Sequence, residues 1–443
     1  MRFEQSGTKG TISRRNFLER LGGAALGASL AGSLTWAATE TRNKTKVTPE
    51  PFPRVAPAEV GVNEASLEEV VKFLDAELKA GTFPGAALVA TRHGKTFIER
   101  YWGTYCNQQR RANPYDASVV NMFFSFSKLV SATVVVMAHQ DGLIDYDVPV
   151  STYIPEFAGG GKDKITIRQL LTHSAGIPTW GYHPEHRFGS VATEEKWQAE
   201  IKSICAAKVE WEPGSKTEYH AVSGMLVTAE AVRRVSQNKP WNTICRERLF
   251  EPLGAASLTF DEPPAGTPLA LVPQPKELPS GYGLFQDALL GHPAGGCFGR
   301  FVDVLKILNL HVNKGVWRGK TLVKPDAFKE MHTVQYAREI EQAVAAGKAP
   351  VHDSWGLGPL LRGTGPSTGT QAWFGFANQT GPHIFGHAGI DALMTVGDPD
   401  QDLAMVFMTT NSLKWPDDLG PPEKVNPLRN GVTDRIYQAL KPV

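Results

Sequence analysis

The apolar positions of the chain are densest between residues 129 and 138, where only Ser131 and Thr133 are polar. A helix on a protein surface carries a single apolar stripe, so a run this dense predicts a helix that is buried on all sides. Gly142 follows as a stop signal. The pattern therefore predicts a buried helix that begins near Ser125 and ends before Gly142.

Before this helix, the spacing of apolar residues indicates an amphipathic helix and then a β-hairpin. Ser66 and Glu69 fit a capping box, and apolar residues keep helical spacing from there to Gly81. Two strand-like runs, 85–91 and 95–102, follow and are joined by a short polar turn. Such a pair predicts a β-hairpin.

From about residue 143 to 330 the pattern is one of helices and long loops. The predicted helices there cover residues 166–172, 223–235, 244–253 and 302–311. Strand patterning returns later, at 384–390, 392–396 and 403–409, and a helix near 433–440 follows. We therefore predict an α+β fold in which one antiparallel sheet, built from both chain ends and flanked by helices, carries an inserted α-rich lobe.

Composition and charge narrow the possible functions. The 443 residues are 42% hydrophobic and 21% charged, which is ordinary for a globular protein with room for one large domain or two lobes. The formal net charge of +1 lacks the excess of positive charge that is typical of proteins that bind nucleic acids or carry a basic membrane-binding patch. We therefore expect no nucleic-acid partner.

The four cysteines, Cys106, Cys205, Cys245 and Cys297, are spread widely along the chain. No pair has the spacing of zinc ligands, so we predict neither a metal site nor a cofactor. Their spacing leaves open whether they form disulfides.

Residues 1–38 have the pattern of an export signal. Two adjacent arginines precede a weakly hydrophobic segment rich in glycine and alanine, and small residues follow it. This pattern resembles a twin-arginine signal peptide, which implies recognition by the twin-arginine export machinery and delivery to the bacterial periplasm or beyond. We expect cleavage near Ala37 or Ala38 with no membrane anchor afterwards, a linker at 39–55, and the functional domain at 56–443.

Candidate chemistry lies at the start of the predicted buried helix. Ser125 and Lys128 are three residues apart, so on a helix they share one face, one turn apart. In a dry pocket the Lys128 ammonium lowers the cost of the serine alkoxide, or loses its own proton and serves as the base. The positive end of the helix adds to this effect. The competing interpretation is a serine N-cap beside a solvated lysine.

The Ser-x-x-Lys pattern occurs twice more, at Ser6 with Lys9 and at Ser236 with Lys239. The first lies in the predicted export signal. The second leads into a proline, so we predict that it ends a helix and does not begin one. Of the three serines, Ser125 alone stands at the mouth of a predicted buried helix.

Two more motifs follow in the order of a known family, namely Tyr219-His220-Ala221 and His387-Ala388-Gly389. Together with Ser125 and Lys128 they make the chain resemble the serine β-lactamase and penicillin-binding-protein superfamily. The resemblance is strongest to its class C β-lactamase-like branch with the family VIII carboxylesterases, and it covers roughly residues 56–412. The supporting landmarks are Leu170-Leu-Thr-His-Ser-Ala-Gly176, Glu212-Pro-Gly214, Phe250-Glu-Pro-Leu-Gly254, Ala294-Gly-Gly296 and Trp355-Gly-Leu-Gly358.

This resemblance implies a role for each site residue. Ser125 is the expected acylated nucleophile, and Lys128 is its base or hydrogen-bond partner. Tyr219, as a phenolate or through a relay with Lys128, is expected to activate Ser125 and then the deacylating water. A free tyrosine has a pKa of about 10, so it needs nearby cations, for which Lys128 and His387 are candidates. His387 is expected to orient the substrate's carbonyl or carboxylate side, and the backbone N–H groups of Ser125 and Ile390 to form the oxyanion hole.

Two departures from the family pattern favour ester hydrolysis. Ala221 replaces an asparagine that contacts the substrate amide, and His387 replaces a lysine and its permanent charge. We therefore predict an exported serine hydrolase that cleaves small-molecule esters through an acyl-enzyme. The alternatives are β-lactamase or D-alanyl-D-alanine peptidase activity on a lactam or peptidoglycan-like substrate and, in another class, a non-catalytic member that binds cell-wall fragments.

Several other candidate residues also fit a purely structural role. Ser367 lies in a Gly-x-Ser-x-Gly pattern like that of α/β-hydrolases, but we interpret its surroundings as a loop with neither the strand nor the helix that this motif needs. Taken singly, Tyr219 and His387 also fit a core tyrosine and a strand histidine. The histidines that we interpret as structural or loop residues are His173, His183, His186 and His383.

Overall fold

A central antiparallel sheet organises the computed structural model, which describes residues 51–179, 190–272, 285–364, 369–376, 380–410 and 427–440. The export signal, the linker up to residue 50, His183, His186 and Ser367 lie outside the described residues. Within the described ranges, no helix combines the length and apolar character needed to cross a membrane.

Eleven strands occur in the described part of the chain. They are β1 (Gly85–Arg92), β2 (Lys95–Cys106), β3 (Ala112–Pro114), β4 (Asn121–Met122), β5 (Phe298–Gly299), β6 (Val316–Trp317), β7 (Lys320–Thr321), β8 (Leu360–Leu361), β9 (Phe385–Ala388), β10 (Met394–Asp398) and β11 (Leu403–Thr410). Seven of them form one sheet in the order β3-β2-β1-β11-β10-β9-β8. The strands β4 and β5 form a small separate pair, as do β6 and β7.

The centre of the sheet joins the two ends of the domain. Strand β1 pairs with β11 in antiparallel register, from Gly85 opposite Thr410 to Arg92 opposite Leu403. All eight residues of β1 are buried, because side chains alternate between two faces that are both covered. The predicted hairpin is the pair β1–β2, and the prediction of a sheet built from both chain ends is confirmed.

The helices lie mostly between β4 and β8, a stretch that is longer at both ends than the α-rich lobe predicted at about 143–330. In chain order they are α1 (Glu64–Lys79), α2 (Phe126–Gln140), α3 (Ile167–Leu171), α4 (Glu194–Ala206), α5 (Ser223–Val235), α6 (Trp241–Cys245), α7 (Glu251–Leu253), α8 (Phe285–Leu289), α9 (Phe301–Val312), α10 (Pro325–Met331), α11 (Ala337–Ala345), α12 (Gly369–Phe374) and α13 (Pro427–Ala439). A π-helical turn, Arg246–Phe250, joins α6 to α7.

The core has one layer on each face of the sheet. On one face, α1 and α13 pack through residues such as Val70 and Ile436 against the side chains of Leu88 and Phe407. On the other face, a larger cluster contains the apolar residues of α2, α5 and α9. Every residue of α2 from its start to Ala138 is buried, which confirms the buried helix predicted from the dense apolar run.

Some predicted helix starts were wrong. The capping box at Ser66 is not formed, because α1 begins three residues earlier with Asn63 as its N-cap, and the Asn63 side chain accepts the N–H of Ser66. Asparagine is a strong N-cap residue, and Glu64 in the first turn complements the helix dipole. The helix predicted from 244 starts after Pro240, and the last helix starts with proline at its first position and not at residue 433.

Candidate active site

Ser125 stands immediately before α2, at the point where the chain emerges from the core. It is the one residue between Asn121 and Ala138 that is not fully buried. Phe124 before it has φ 41°, in the left-handed region that large side chains rarely adopt. The strained turn thus delivers the Ser125 hydroxyl to the exposed mouth of a buried helix.

Lys128 lies one helical turn further on and is directed at the serine. Its Nζ is 3.0 Å from Ser125 Oγ and 2.9 Å from the carbonyl oxygen of Ala294. The side chain is only 1% exposed, and this burial lowers the pKa of the amine to about 7. The solvated-lysine interpretation is therefore wrong, and near neutral pH a large share of the molecules carry an uncharged amine that can accept a proton.

The glycine-rich loop that follows α8 fixes the other side of this lysine. Ser131 Oγ donates a hydrogen bond of 2.7 Å to the carbonyl of Pro293. The N–H of Cys297 donates one of 2.9 Å to Ser127 Oγ. These two bonds anchor the loop to α2 on either side of Ala294, whose carbonyl accepts from the lysine.

Tyr219 meets the same serine from the helical lobe. Its hydroxyl lies 2.9 Å from Ser125 Oγ and donates to it, and Lys128 Nζ lies 5.1 Å from the centre of its ring. Burial raises the pKa of Tyr219, and the bond to Ser125 offsets this only in part. At neutral pH the phenol therefore keeps its proton, and the predicted phenolate is not favoured.

His387 lies on β9 and is completely buried. Its Nδ1 donates to the carbonyl of Ala388 at 2.7 Å. Burial, with smaller contributions from the charges of Lys128 and Arg429, lowers the pKa of His387 to about 3, although the bond to Ala388 opposes the shift. His387 is therefore neutral, and the expectation that it serves as a cation beside Tyr219 was wrong.

Two residues that the sequence did not assign to the site pack directly on Tyr219. His173 accepts two hydrogen bonds from the backbone around Tyr219. Its carbonyl oxygen accepts the N–H of Glu218 at an N–O distance of 2.9 Å, and its ring Nδ1 accepts the N–H of His220 at an N–N distance of 3.2 Å. The backbone is thereby held on both sides of Tyr219. Trp355 stacks on the tyrosine ring at 5.8 Å. Both residues lie in landmarks of the family resemblance, and that was the signal available in the sequence.

The segment after β9 packs closely on Phe124, the residue before Ser125, because it contains a glycine. A Cβ on Gly389 would lie 3.1 Å from the Cβ of Phe124 and 3.0 Å from a methyl group of Leu393. In the part of the chain that the structure describes, the N–H groups of Ser125 and Ile390 have no hydrogen-bond acceptor. An oxyanion hole requires backbone donors that are left unpaired in this way.

Ser236 and His383 make none of the contacts described for Ser125. Ser236 follows the last residue of α5, as predicted for the second Ser-x-x-Lys pattern. His383 is exposed and pairs with Asp400 at 2.7 Å. A short helix, α12, does follow Ser367, contrary to our interpretation of that region as a loop. The four cysteines are free thiols.

An antiparallel sheet flanked by helices, with Ser-x-x-Lys at the head of a buried helix, defines a hydrolase of the serine β-lactamase fold. Residues 70–424 match the family model described as Beta-lactamase, and the chain belongs to that family.

Comparison with individual proteins agrees with this assignment. The chain is 30% identical to "Esterase/beta-lactamase LipL" of Mycobacterium tuberculosis over 204 residues, which are 45% of this chain and 44% of that protein. A penicillin-binding protein homologue from Caulobacter crescentus superposes with a TM-score of 0.63 and 20% identity over 86% of this chain and 99% of that one. A family VIII carboxylesterase gives a TM-score of 0.60 and 22% identity over 85% and 99% of the two chains.

Proposed function

We propose that this chain is an exported serine hydrolase that cleaves esters through an acyl-enzyme on Ser125. The observation that carries the proposal is the position of Ser125 Oγ, which lies 3.0 Å from a buried amine and 2.9 Å from a protonated phenol. An amine with a pKa of about 7 can take a proton at neutral pH. Lys128 is therefore the base, and Tyr219 is a hydrogen-bond donor.

The proton and the charge each have a destination in this site. Ser125 Oγ attacks the ester carbonyl and passes its proton to Lys128 Nζ. The negative oxygen of the tetrahedral intermediate is bound by the N–H groups of Ser125 and Ile390. When the intermediate collapses, the departing alkoxide takes the proton from Lys128, directly or through Tyr219. A water then attacks the acyl carbonyl and passes a proton to Lys128, the bond between Ser125 Oγ and the acyl group breaks to release the carboxylic acid, and Ser125 Oγ takes the proton back from Lys128.

The polar character of the site supports an ester as the substrate. His387 is uncharged, so it offers no permanent positive charge to the carboxylate of a lactam or a peptide. Ala221 has no amide group to contact a substrate amide. A neutral ester needs neither contact. The relative LipL carries "esterase" in its name beside "beta-lactamase", which is consistent with this choice.

The test uses the purified protein with a fluorophosphonate probe, p-nitrophenyl acetate and butyrate, and a fluorescent penicillin. We expect labelling and ester turnover that disappear in Ser125→Ala and persist in Ser367→Ala. Loss in Ser367→Ala alone would overturn the assignment of the nucleophile. Stable penicillin labelling without ester turnover would favour a penicillin-binding function, and folded wild-type protein that reacts with neither reagent would favour a non-catalytic role.

The export part of the proposal rests on residues 1–38 and has its own test. Replacing Arg14 and Arg15 together by lysine removes the feature by which the twin-arginine pathway selects its cargo. We expect the wild-type protein in the periplasmic fraction of a producing bacterium and the double variant in the cytoplasm. Equal periplasmic amounts of the two proteins would rule out this route.

A further inference from the structure

A buried guanidinium contacts the peptide group that carries the second oxyanion donor. Arg429 of α13, which is 1% exposed, donates a hydrogen bond from Nη2 to the carbonyl oxygen of Gly389. That carbonyl belongs to the same peptide group as the Ile390 N–H. The arginine therefore binds one end of an amide whose other end faces the reacting centre in the proposed mechanism.

A cation at the carbonyl end of an amide strengthens the N–H at the other end. Hydrogen bonds to charged groups are stronger than neutral ones, and linked hydrogen bonds polarise one another inside a protein. The effect is larger here because the guanidinium is shielded from water. Its charge is felt within the site, since Arg429 is one of the smaller causes, after burial and Lys128, of the lowered pKa of His387.

The turn that presents this amide is strained and needs support from outside. Asp391 and Ala392 both have positive φ, 56° and 50°, although neither is glycine. The turn is closed by the N–H of Leu393 bonded to the carbonyl of Ile390 at 3.2 Å. Thr409 of β11 donates to the Asp391 carbonyl from both its N–H, at 2.8 Å, and its Oγ1, at 2.7 Å.

We propose that Arg429 is a positioning residue of the oxyanion hole: its guanidinium fixes the Gly389–Ile390 peptide and strengthens the Ile390 N–H as a donor to the developing oxyanion. This role rests on the proposed function of Ser125. It assigns a task in the reaction to α13, an element that contributes no group to the reacting centre itself.

The test removes the charge of Arg429 in two ways. Arg429→Gln keeps a neutral hydrogen-bond donor, whereas Arg429→Met has no donor. The test needs only one of the two variants to fold, because both lack the charge. Losing a whole oxyanion donor lowers kcat by about 10²–10³, and a weakened donor should cost roughly tenfold. We expect this loss in kcat for p-nitrophenyl acetate with KM within about twofold. The affinity for phenylboronic acid, whose tetrahedral adduct with Ser125 mimics the intermediate, should fall by a similar factor. Arg429→Lys should recover part of both.

Arg92 provides a matched control, because it is also buried and donates to the backbone carbonyls of Val60, Gly61 and Gln401. Arg92→Met should lower the melting temperature without changing kcat or boronate affinity. If a folded Arg429→Gln or Arg429→Met variant keeps the wild-type kcat and boronate affinity while Ser125→Ala is inactive, the role of Arg429 is overturned and the proposed function stands. Turnover that survives in Ser125→Ala would instead refute the proposed function itself.

Discussion

Lys128 places its Nζ 3.0 Å from Ser125 Oγ, and burial lowers the pKa of that amine to about 7. Ionisation therefore decides whether the amine can serve as a base in the pH range where most enzymes work. Lys128 is the neighbouring group that titrates near neutral pH, because His387 is already neutral at pH 7 and Tyr219 keeps its proton there.

The pH dependence of acylation should follow the ionisation of Lys128. Protonated Lys128 cannot accept the serine proton, so kcat/KM for p-nitrophenyl acetate should be low at pH 5, rise with a midpoint near 7, and level off above it. Initial rates from pH 5 to 9, corrected for spontaneous hydrolysis, test this. A midpoint of 10 or above would instead identify the tyrosine as the base.

Tyr219→Phe separates the two groups directly. The variant loses the donor 2.9 Å from Ser125 Oγ, so kcat should fall by roughly 100-fold. The midpoint of the pH profile should stay near 7, because Lys128 is unchanged. Tyr336→Phe is the matched control, since that hydroxyl bonds Ser174 and not the nucleophile. A midpoint that moves in Tyr219→Phe would count against Lys128 as the base.

The stability of the fold should also depend on Lys128. Its pKa is about 7 in the folded protein and about 10.4 when unfolded, so between these values the unfolded chain binds the extra proton. The free energy of unfolding should therefore gain up to about 1.4 kcal/mol per pH unit from pH 7 to 10 through this group. Below pH 7 both states are protonated and the penalty is constant. Urea unfolding at pH 7, 8 and 9 should show this slope in wild type and lose it in Lys128→Met, and parallel curves would contradict it.

The sequence was most informative where the pattern is local. The dense apolar run predicted α2, and the spacing of Ser125 and Lys128 predicted that they share a face of it. Arg429 was not predicted, because it acts on Gly389 from 40 residues away and on a different element. The charge of His387 could not be read from the sequence either, since its pKa is set by burial.

The start of α1 offers a direct test of one wrong prediction. Asn63 caps the helix, whereas the Ser66 side chain has no capping role there. Asn63→Ala should lower the free energy of unfolding by about 1 kcal/mol, and Ser66→Ala should leave it nearly unchanged. Chemical denaturation of the two variants decides between them. The reverse order would restore the capping box that the sequence indicated.

Ser131 should influence the pKa of Lys128 without touching its amine. Its Oγ donates to Pro293 at 2.7 Å, and the next residue, Ala294, offers its carbonyl to Lys128 at 2.9 Å. That carbonyl favours the charged amine, because it accepts a hydrogen bond from it. Ser131→Ala frees the loop, so the pKa of Lys128 should fall further and the midpoint of the pH–rate profile should move below 7.

The same substitution leaves a carbonyl without its donor, so the free energy of unfolding should fall by about 1–3 kcal/mol. Ser354→Ala is the matched control, because Ser354 is also buried and donates to a backbone carbonyl, that of Leu361, away from the lysine. It should lose comparable stability and keep its midpoint near 7. Equal midpoints in the two variants would mean that the loop carbonyl does not influence the base, and that burial alone sets the pKa of Lys128.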